Sequence, residues 1–310
     1  MNDLLSIVIP SYNRLDSLSM NLLGILKDLK KYSIPVYISD DSPNNEIRNF
    51  VSEYIKSHKY IYYHKNEPRL GHDKNFVKAL KKSQSAYTWI IGDRVGLKEN
   101  AIKTVIDLIS KTQVDIISVN KSDRNIDIPS SYFSNPTSIF DTLGWHLTYT
   151  GATIYSKHTI KTLDLINMDK YKNFPHIGLI FNHLSQNPSF YWINDYLIFR
   201  LPEKESYWLN NALTVFIDDW ENAVQNLPDT YSQELKKSTI LKHSFHTNLF
   251  SIKFFLKLRM NDKYNIKIFK KYKDKILKHS NNRLLFLFII CFIPKRSLKF
   301  ISHILKVIKK

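Results

Sequence analysis

The sequence is poor in cysteine and glycine and has no long apolar run. Of its 310 residues, one is cysteine and seven are glycine. A single cysteine excludes an internal disulfide framework and any thiolate-rich zinc or iron–sulfur site built from this chain alone, and we expect a reducing, cytosolic location. The apolar stretch Leu284–Ile293 ends at Pro294 and is too short to cross a bilayer, which takes about 20 residues. The N-terminus lacks a leader pattern, so we expect no secretion signal.

Acidic residues are also scarce in the last quarter of the chain, where the basic charge is concentrated. The net charge is +17. Residues 236–310 hold 20 Lys and Arg residues but only two acidic ones, Asp262 and Asp274, so the rest of the chain is close to neutral. A basic segment of this kind is typical of proteins that bind nucleic acid or an anionic membrane. Because it is rich in Ile, Leu and Phe and has no zinc-finger, helix-turn-helix or RNP pattern, we expect no nucleic-acid partner.

The end of this segment has the pattern of a basic amphipathic helix. At about 100° per residue, the apolar side chains of residues 298–310 lie on one half of a helical wheel and the lysines lie on the other. Beside the apolar run Leu284–Ile293, this pattern favours a helical appendage that lies on an anionic membrane surface. Alternatively, the helix packs its apolar face on the protein and leaves its lysines in solvent.

The first 120 residues alternate between two hydrophobic periods. Short apolar runs typical of strands alternate with patterns that repeat every three or four residues, as in Leu15–Leu29. This alternation predicts βαβ units and a mostly parallel α/β sheet flanked by helices, which binds ligands at the carboxyl ends of its strands. We expect a surface connection over 122–147. The predicted strands are Leu5–Pro10, Val36–Ser39, Tyr60–His64, Tyr87–Ile91, Val114–Val119, Ala152–Tyr155 and Phe190–Phe199.

Four of these strand ends carry polar clusters. A tyrosine can stack on a flat ring, a carboxylate can accept from a pyrimidine N–H or a ribose hydroxyl, and Lys or Asn at a turn can reach a phosphate or a base. One such cluster alone is usually a turn or a helix cap, but four at one sheet edge indicate ligand binding. The candidates are Pro10, Tyr12 and Arg14 after the first strand, Asp40 and Asp41 after the second, Lys74 and Asn75 after the third, and Asp93 and Arg94 after the fourth.

In their order and spacing these clusters resemble the family 2 glycosyltransferases, which have the nucleotide-sugar-binding GT-A fold. The resemblance implies a Rossmann-like domain in which Tyr12 and either Asp40 or Asp41 hold the base. It also implies that Lys74 or Asn75 lies near the nucleotide and that Asp93 reaches the ribose or a metal. The matching segments are SIVIPSYNR (Ser6–Arg14), ISDDS (Ile38–Ser42), the turn from Asn66 through Gly71 to Asn75, and YTWIIGD (Tyr87–Asp93).

A weaker likeness to the acceptor half of bacterial O-antigen and capsule enzymes covers three segments, His176–Leu184, Tyr191–Trp208 and Leu227–Lys237. It implies transfer of a sugar from a nucleotide-diphosphate sugar to a lipid-linked saccharide, with inversion. It further implies a cytoplasmic protein that is peripheral on the inner face of the cell membrane. The expected organisation is a nucleotide-sugar half (1–120), an acceptor half (121–235) and a basic membrane-associating region (236–310).

The sequence departs from the family at its metal motif. The family has Asp-x-Asp, whose last Asp holds a divalent cation, whereas this chain has Asp93-Arg94-Val95. An isopropyl group cannot coordinate a hard cation, which takes oxygen ligands. Either Arg94 neutralises the leaving diphosphate, or Asp93 alone holds a weakly bound Mg²⁺ or Mn²⁺. A further possibility is a non-catalytic relative that only binds glycans or partner enzymes.

The second departure concerns the catalytic base. Inverting members carry an acidic residue, often in a Glu-Asp pair, at the start of a helix under the acceptor, and no such pair is present in the corresponding window. The candidates are Asp169 and His176. Histidine titrates near neutrality and can act as a general base. Alternatively, His176 is a helix-start residue bonded to nearby backbone.

Overall fold

The computed structural model describes residues 3–56, 58–124, 126–202, 211–280 and 282–299. The chain divides into two compact units, one made of residues 1–204 and 226–231 and the other of residues 205–225 and 232–310. The first unit is an α/β domain, and the described elements of the second are helical.

The first unit begins with the predicted alternation of strands and helices. Apolar side chains on one face of each helix cover the sheet; on α1, for example, Leu18, Leu22, Ile25 and Leu29 are buried. The elements are β1 (Leu5–Ser11), α1 (Leu15–Tyr32), β2 (Val36–Asp40), α2 (Glu46–Ile55), β3 (Ile61–Lys65), α3 (His72–Lys82), β4 (Tyr87–Ile90), β5 (Val95–Leu97), α4 (Ala101–Ile109) and β6 (Ile116–Lys121).

The rest of this unit completes a nine-stranded sheet of order β3-β2-β1-β4-β8-β6-β9-β5, with β7 paired to β9. The added elements are β7 (Ser131–Phe133), α5 (Pro136–Leu143), β8 (Thr153–Ser156), α6 (Lys157–Lys161), α7 (Pro175–Gln186) and β9 (Phe190–Arg200). Strands β3, β2, β1 and β4 are mutually parallel, whereas β8 runs antiparallel between β4 and β6. The predicted α/β fold is confirmed, and the sheet is parallel in its first half and mixed in its second.

The segment predicted as a surface connection over 122–147 contains a strand and a helix. Asn135 caps α5 by accepting a hydrogen bond from the backbone N–H of Ser138, and Pro136 occupies the first turn. Ile139, Phe140 and Leu143 of this short helix are buried. The expectation of a plain connection was wrong because Asn, Ser and Pro, which were taken as loop residues, form a helix start.

The second unit is built from helices with side-chain caps. Ser232, Ser251 and Asn265 each accept hydrogen bonds from first-turn backbone N–H groups. The buried core includes Phe250, Phe255, Leu258, Tyr264 and Leu287. The elements are a π-helical turn (Thr214–Asp219), α8 (Trp220–Gln225), α9 (Gln233–Thr247), α10 (Ile252–Met260), α11 (Ile266–His279) and α12 (Leu284–Ile290).

Within the described ranges, every helix is too short or too polar to cross a membrane. The apolar run Leu284–Ile293 forms α12 and the residues that follow it. The predicted amphipathic helix at the end of the chain falls mainly on residues 300–310, which lie outside the described residues.

Candidate active site

The carboxyl ends of β1, β2 and β4 lie side by side, because these three strands are parallel neighbours. Backbone pairing continues past the strand ends: the N–H of Asp41 donates to the carbonyl of Ser11 at 2.9 Å, and the N–H of Ile91 donates to the carbonyl of Val8 at 3.0 Å. The N–H of Asn13 also donates to the Ser42 hydroxyl at 2.8 Å. The polar clusters predicted from the sequence therefore meet at one edge of the sheet.

Asp41 ties the second cluster to the third. Its buried carboxylate accepts hydrogen bonds from the backbone N–H groups of Leu70 and Gly71, each at 2.8 Å, and from the side-chain amide of Asn66 at 3.3 Å. Gly71 has φ +83°, a backbone conformation that residues other than glycine rarely adopt. The loop between β3 and α3 is therefore held against the end of β2 by one carboxylate.

Arg69 belongs to this loop and packs against Tyr12. Its guanidinium carbon is 4.1 Å from the Tyr12 ring centroid, and its Nε is 3.5 Å from Oδ2 of Asp41. Tyr12 remains 38% exposed. The arrangement places an aromatic face, a cation and a carboxylate together, which suits a planar polar base. Arg69 was not predicted from the sequence, although its position in the Asn66–Asn75 turn was a usable signal.

Asp40 and Asn75 are engaged inside the protein. Asp40 accepts from the Ser42 N–H at 2.8 Å and from the Tyr63 hydroxyl at 2.7 Å; burial, with this carboxylate beside it, raises the pKa of Tyr63. Asn75 accepts from the Ser39 hydroxyl at 2.7 Å and donates to the Ser39 carbonyl at 3.2 Å. Both side chains brace strand ends and the loop.

Three further candidates flank these residues. Pro10 lies in β1 opposite Ser39 of β2. Arg14 is half-buried at the start of α1, and Lys74 is exposed in the first turn of α3.

Asp93 lies just beyond β4 and is linked to β1. Its Oδ2 accepts from the Ser11 hydroxyl at 3.2 Å, and its Oδ1 is 3.4 Å from Nη1 of Arg14. Burial raises the pKa of the Asp93 carboxyl, and the Arg14 guanidinium opposes the rise without cancelling it. Arg94, the next residue, is half-buried, and its carbonyl accepts from the N–H of Leu201 at 2.9 Å. The structure thus brings Tyr12, Arg14, Asp41 and Asp93 into one connected set.

The residues around Asp93 do not form a complete cation site. Val95 begins β5 and is buried, and a Cβ built on Gly151 would lie 2.8 Å from its Cγ2, so its methyl groups pack against that backbone. Asp93 is paired with a guanidinium and, in the described part of the chain, belongs to no group of three metal-binding side chains. A tightly held Mg²⁺ or Mn²⁺ needs more oxygen ligands than this set offers.

The two candidate bases lie on the segment that leads into α7. His176 is buried in the first turn of α7, where Nε2 is 3.2 Å from the carbonyl oxygen of Thr148 and therefore donates to it. Burial lowers the pKa of His176 to about 3. Asp169 is exposed on the turn Met168–Tyr171, and its N–H donates to the Asn167 side chain.

Asp73, at the start of α3, was not among the predicted residues. Its Oδ2 accepts from the Asn173 N–H at 3.0 Å, and its Oδ1 lies 2.7 Å from Nδ1 of His72. Burial raises the pKa of Asp73, but these partners, with His176 nearby, outweigh burial and leave the pKa below its ordinary value. Like Arg69, Asp73 lies in the Asn66–Asn75 turn, which was the available signal in the sequence.

Comparison with known proteins identifies the family. A model described as "Glycosyl transferase family 2" matches residues 6–160, half of the chain. The chain belongs to this family, and the predicted GT-A fold is confirmed. The abequosyltransferase RfbV of Salmonella typhimurium is 25% identical over 128 residues, which are 40% of this chain and 38% of that protein. This match therefore spans less than half of the relative's length.

Solved structures agree on the fold. Residues 1–349 of S. aureus TarS in complex with UDP-GlcNAc match with a TM-score of 0.60 and 14% identity, covering 89% of this chain and 82% of that chain. The mannosyltransferase PcManGT from Pyrobaculum calidifontis, in complex with GDP-Man and Mn²⁺, matches with a TM-score of 0.56 and 11% identity, covering 94% of this chain and 86% of that chain.

Proposed function

We propose that this protein transfers a sugar from a nucleotide-diphosphate sugar to a saccharide acceptor in cell-surface polysaccharide synthesis. The observation that carries the proposal is the connected set of Tyr12, Asp41 and Asp93 at the ends of three neighbouring parallel strands. Family membership supports it, as do the solved relatives that hold UDP-GlcNAc or GDP-Man. In this assignment residues 1–120 bind the nucleotide sugar and residues 121–235 bind the acceptor.

Each part of the donor has a proposed partner. The base stacks on Tyr12 beside Arg69, and its polar edge faces Asp41. Asp93 accepts from a ribose hydroxyl, a role that a buried carboxylate can fill because the hydroxyl replaces solvent as a donor. Lys74 lies near the nucleotide, while Pro10, Asp40 and Asn75 shape the strand ends.

The proposed reaction is an inverting displacement at the anomeric carbon. The acceptor oxygen forms a bond to that carbon as the bond to the diphosphate oxygen breaks, and the diphosphate leaves with the electron pair. A base takes the proton of the acceptor hydroxyl. Positioning and electrostatic stabilisation of the leaving group supply most of the rate.

Asp169 and His176 are the proposed bases, and kinetics separates them. An exposed carboxylate such as Asp169 can accept a proton from an acceptor in solvent reach, whereas His176 would have to act from a buried position. Loss of a general base costs about 10²- to 10⁴-fold in rate. Asp169→Asn and His176→Gln should therefore differ in kcat by at least the lower figure.

We propose that the diphosphate is neutralised mainly by Arg94 and that Mg²⁺ or Mn²⁺ binds weakly at Asp93. A guanidinium is a permanent charge with a two-pronged donor set, which matches phosphate oxygens. A bound cation would add Lewis-acid stabilisation of the leaving group. Residual transfer in EDTA, lost in Arg94→Ala, supports the proposal. Complete loss in EDTA with full recovery on adding Mn²⁺ contradicts it.

The acceptor is proposed to be a lipid-linked saccharide at the inner face of the cell membrane. The support is a surface of the second unit, here called the apolar–basic surface: Leu285, Phe286, Phe288, Ile289 and Phe292 are exposed, and Lys295, Arg296 and Lys299 follow them. Exposed aromatic groups beside several cations fit an anionic lipid surface. Residues 236–310 would then hold the enzyme where its acceptor is concentrated.

A direct assay tests the assignment. Purified protein is incubated with radiolabelled nucleotide sugars, with and without membrane extract as acceptor, and hydrolysis and transfer are measured. We expect turnover with at least one donor and its loss in Asp93→Ala, with Asp16→Ala, an exposed residue of α1, as the control. Donor binding without turnover under any condition would favour the non-catalytic alternative.

A further inference from the structure

A second cluster of metal-ligating side chains lies away from the nucleotide-binding edge. Asp115 immediately precedes β6, His158 is in α6 and His183 is in α7. One ligand atom from each residue lies within 4.8 Å of the others. Strand pairing fixes the location: Ser156, at the end of β8, faces Tyr87, the first residue of β4. The cluster is therefore at the amino ends of β4 and β6, whereas Asp93 follows the carboxyl end of β4.

The distances suit a shared cation. Oδ2 of Asp115 is 3.0 Å from Nε2 of His183, and Oδ1 is 3.2 Å from Nδ1 of His158. Ligands bound to zinc at about 2.0–2.2 Å in a tetrahedron lie about 3.3–3.6 Å from one another. Each observed separation, one to each oxygen of the Asp115 carboxylate, is shorter than this by only a few tenths of an ångström. The imidazole rings of the two histidines are close to perpendicular, at 80°, with centroids 5.1 Å apart.

His183 supplies an independent observation. The residue is only 2% exposed, and neither of its ring nitrogens has a hydrogen-bond partner. Nε2 lies near the Asp115 carboxylate but outside hydrogen-bond alignment with it. Burying an unsatisfied polar nitrogen is costly. A cation held between Nε2 and the carboxylate would satisfy this nitrogen.

The surroundings of Asp115 fit a ligand held in place. The hydroxyl of Ser156 donates to its Oδ1 at 3.1 Å, and its backbone carbonyl accepts from the N–H of Ser156 at 2.8 Å and from the hydroxyl of Thr159 at 2.9 Å. Hydrogen bonds of this kind orient metal ligands and tune their basicity. His158 is 59% exposed at its side chain, so a cation could enter from solvent.

We propose that Asp115, His158 and His183 form a zinc site, with water as the fourth ligand. Two imidazoles and one carboxylate are a donor set typical of Zn²⁺ rather than of Mg²⁺ or Ca²⁺, which take oxygen ligands. The bound ion joins the start of β6 to α6 and α7. Its function is to stabilise this edge of the sheet, and it is separate from any cation at Asp93.

Zinc binding is measured on the full-length, tag-free protein after chelator treatment and dialysis. Isothermal titration with ZnCl₂ should show one ion per chain, and Co²⁺ should give the visible absorption bands of a tetrahedral site. His158→Ala, at an exposed position, should weaken zinc binding at least about tenfold. Zinc should raise Tm for the unmodified protein and not for this variant.

Three further variants keep the result interpretable. Asp115→Asn retains an acceptor for Ser156 but loses the charge, and it should also weaken zinc binding. His58→Ala, a half-exposed histidine of the same unit, should bind zinc like the unmodified protein, as should Asp93→Ala. Absence of a stoichiometric zinc site, or equal affinity in His158→Ala and His58→Ala, would overturn the proposal. Neither result depends on transferase activity, so the zinc site and the proposed function fail independently.

Discussion

Asp41 and Asp40 are adjacent in the chain but have different tasks. The carboxylate of Asp40 accepts hydrogen bonds from Ser42 and Tyr63 and forms an ion pair with Lys65. Asp41 instead holds the loop that carries Arg69 and lies next to that guanidinium. A pair of neighbouring carboxylates at a strand end predicted a ligand site, but the sequence could not show which oxygen atoms were already used by the protein.

Asp41→Asn should weaken nucleotide binding. The amide replaces one oxygen by a donor, so it cannot accept from both Leu70 and Gly71, and the loop loses one of its two short hydrogen bonds. A lost hydrogen bond to a charged group costs about 1.5–3 kcal/mol, or about 10- to 100-fold in affinity where binding depends on the loop. Calorimetry with nucleoside diphosphates checks the affinity, and amide exchange at Leu70 and Gly71 checks the loop. Asp16→Asn is the control, and equal affinities in the two variants would contradict this role for Asp41.

Two buried histidines should make the first unit sensitive to acid. Burial lowers the pKa of His146 and of His176 from the ordinary value of 6.5 to about 3. Between these values the unfolded chain binds protons that the folded chain does not, so stability is present above pH 6.5 and is lost as the pH falls towards 3. At pH 5 the loss is about 2 kcal/mol per histidine, at 1.36 kcal/mol per pH unit.

Urea unfolding at pH 7.5 and pH 5.0 measures this effect. His176→Gln keeps a donor for the Thr148 carbonyl but does not titrate, so it should lose less stability between the two pH values than the unmodified protein. His58→Gln, at a half-exposed position, is the control. If His176→Gln and the unmodified protein lose the same stability, His176 is not buried in its neutral form.

At the scale of elements, the parallel strands and their helices were predictable and the second half of the sheet was not. β1, β2 and β4 are apolar runs between amphipathic helices. Their hydrophobic periodicity and their order in the chain therefore predicted the strand bounds to within a residue or two. The direction of β8 and the existence of β5 depend on pairing with distant strands. Val95, the first residue of three-residue β5, was considered only as part of the metal motif. Short strands without alternation carry too little pattern to be recognised.

Two helical glycines offer a matched test of packing. A Cβ on Gly178 of α7 would lie 2.5 Å from ring atoms of buried Tyr171, whereas a Cβ on Gly24 of α1 would have nothing within 4 Å. Gly24→Ala should stabilise the protein by about 0.5–1 kcal/mol, because alanine is the better helix former. Gly178→Ala should destabilise it by about 1–3 kcal/mol, because the buried ring must move. Denaturant midpoints measure both, and stabilisation by Gly178→Ala would show that Tyr171 does not pack as described.

At the scale of the whole molecule, charge and apolar surface are distributed unevenly. All of the net charge of +17 comes from residues 236–310. The exposed side chains of the apolar–basic surface lie in the same segment, with Phe286 51% and Phe292 61% exposed. Composition alone predicted the basic segment, but the exposed face of α12 required the structure, since a ten-residue apolar run is equally compatible with a buried helix.

Phe286→Asp with Phe292→Asp should reduce membrane binding at least about tenfold, because each exposed ring that leaves the lipid surface loses transfer free energy and each carboxylate is repelled by anionic lipid. The measurement is sedimentation with phosphatidylglycerol–phosphatidylcholine vesicles. Leu165→Asp, at an 85% exposed position in the other unit, is the control. If the double variant binds vesicles normally, or instead separates a dimer into monomers, the surface binds something other than a membrane.

In the proposed function, Tyr12, Asp41 and Asp93 contact one bound nucleoside diphosphate. Calorimetric titration of UDP, dTDP, CDP and GDP into the full chain, with Tyr12→Ala and Asp93→Ala beside the unmodified protein, tests it most directly. We predict that at least one of the four nucleotides binds with one-to-one stoichiometry. Each variant should lower the affinity for that nucleotide by about tenfold or more. Failure of all four to bind, or binding that both variants leave unchanged, would contradict the account.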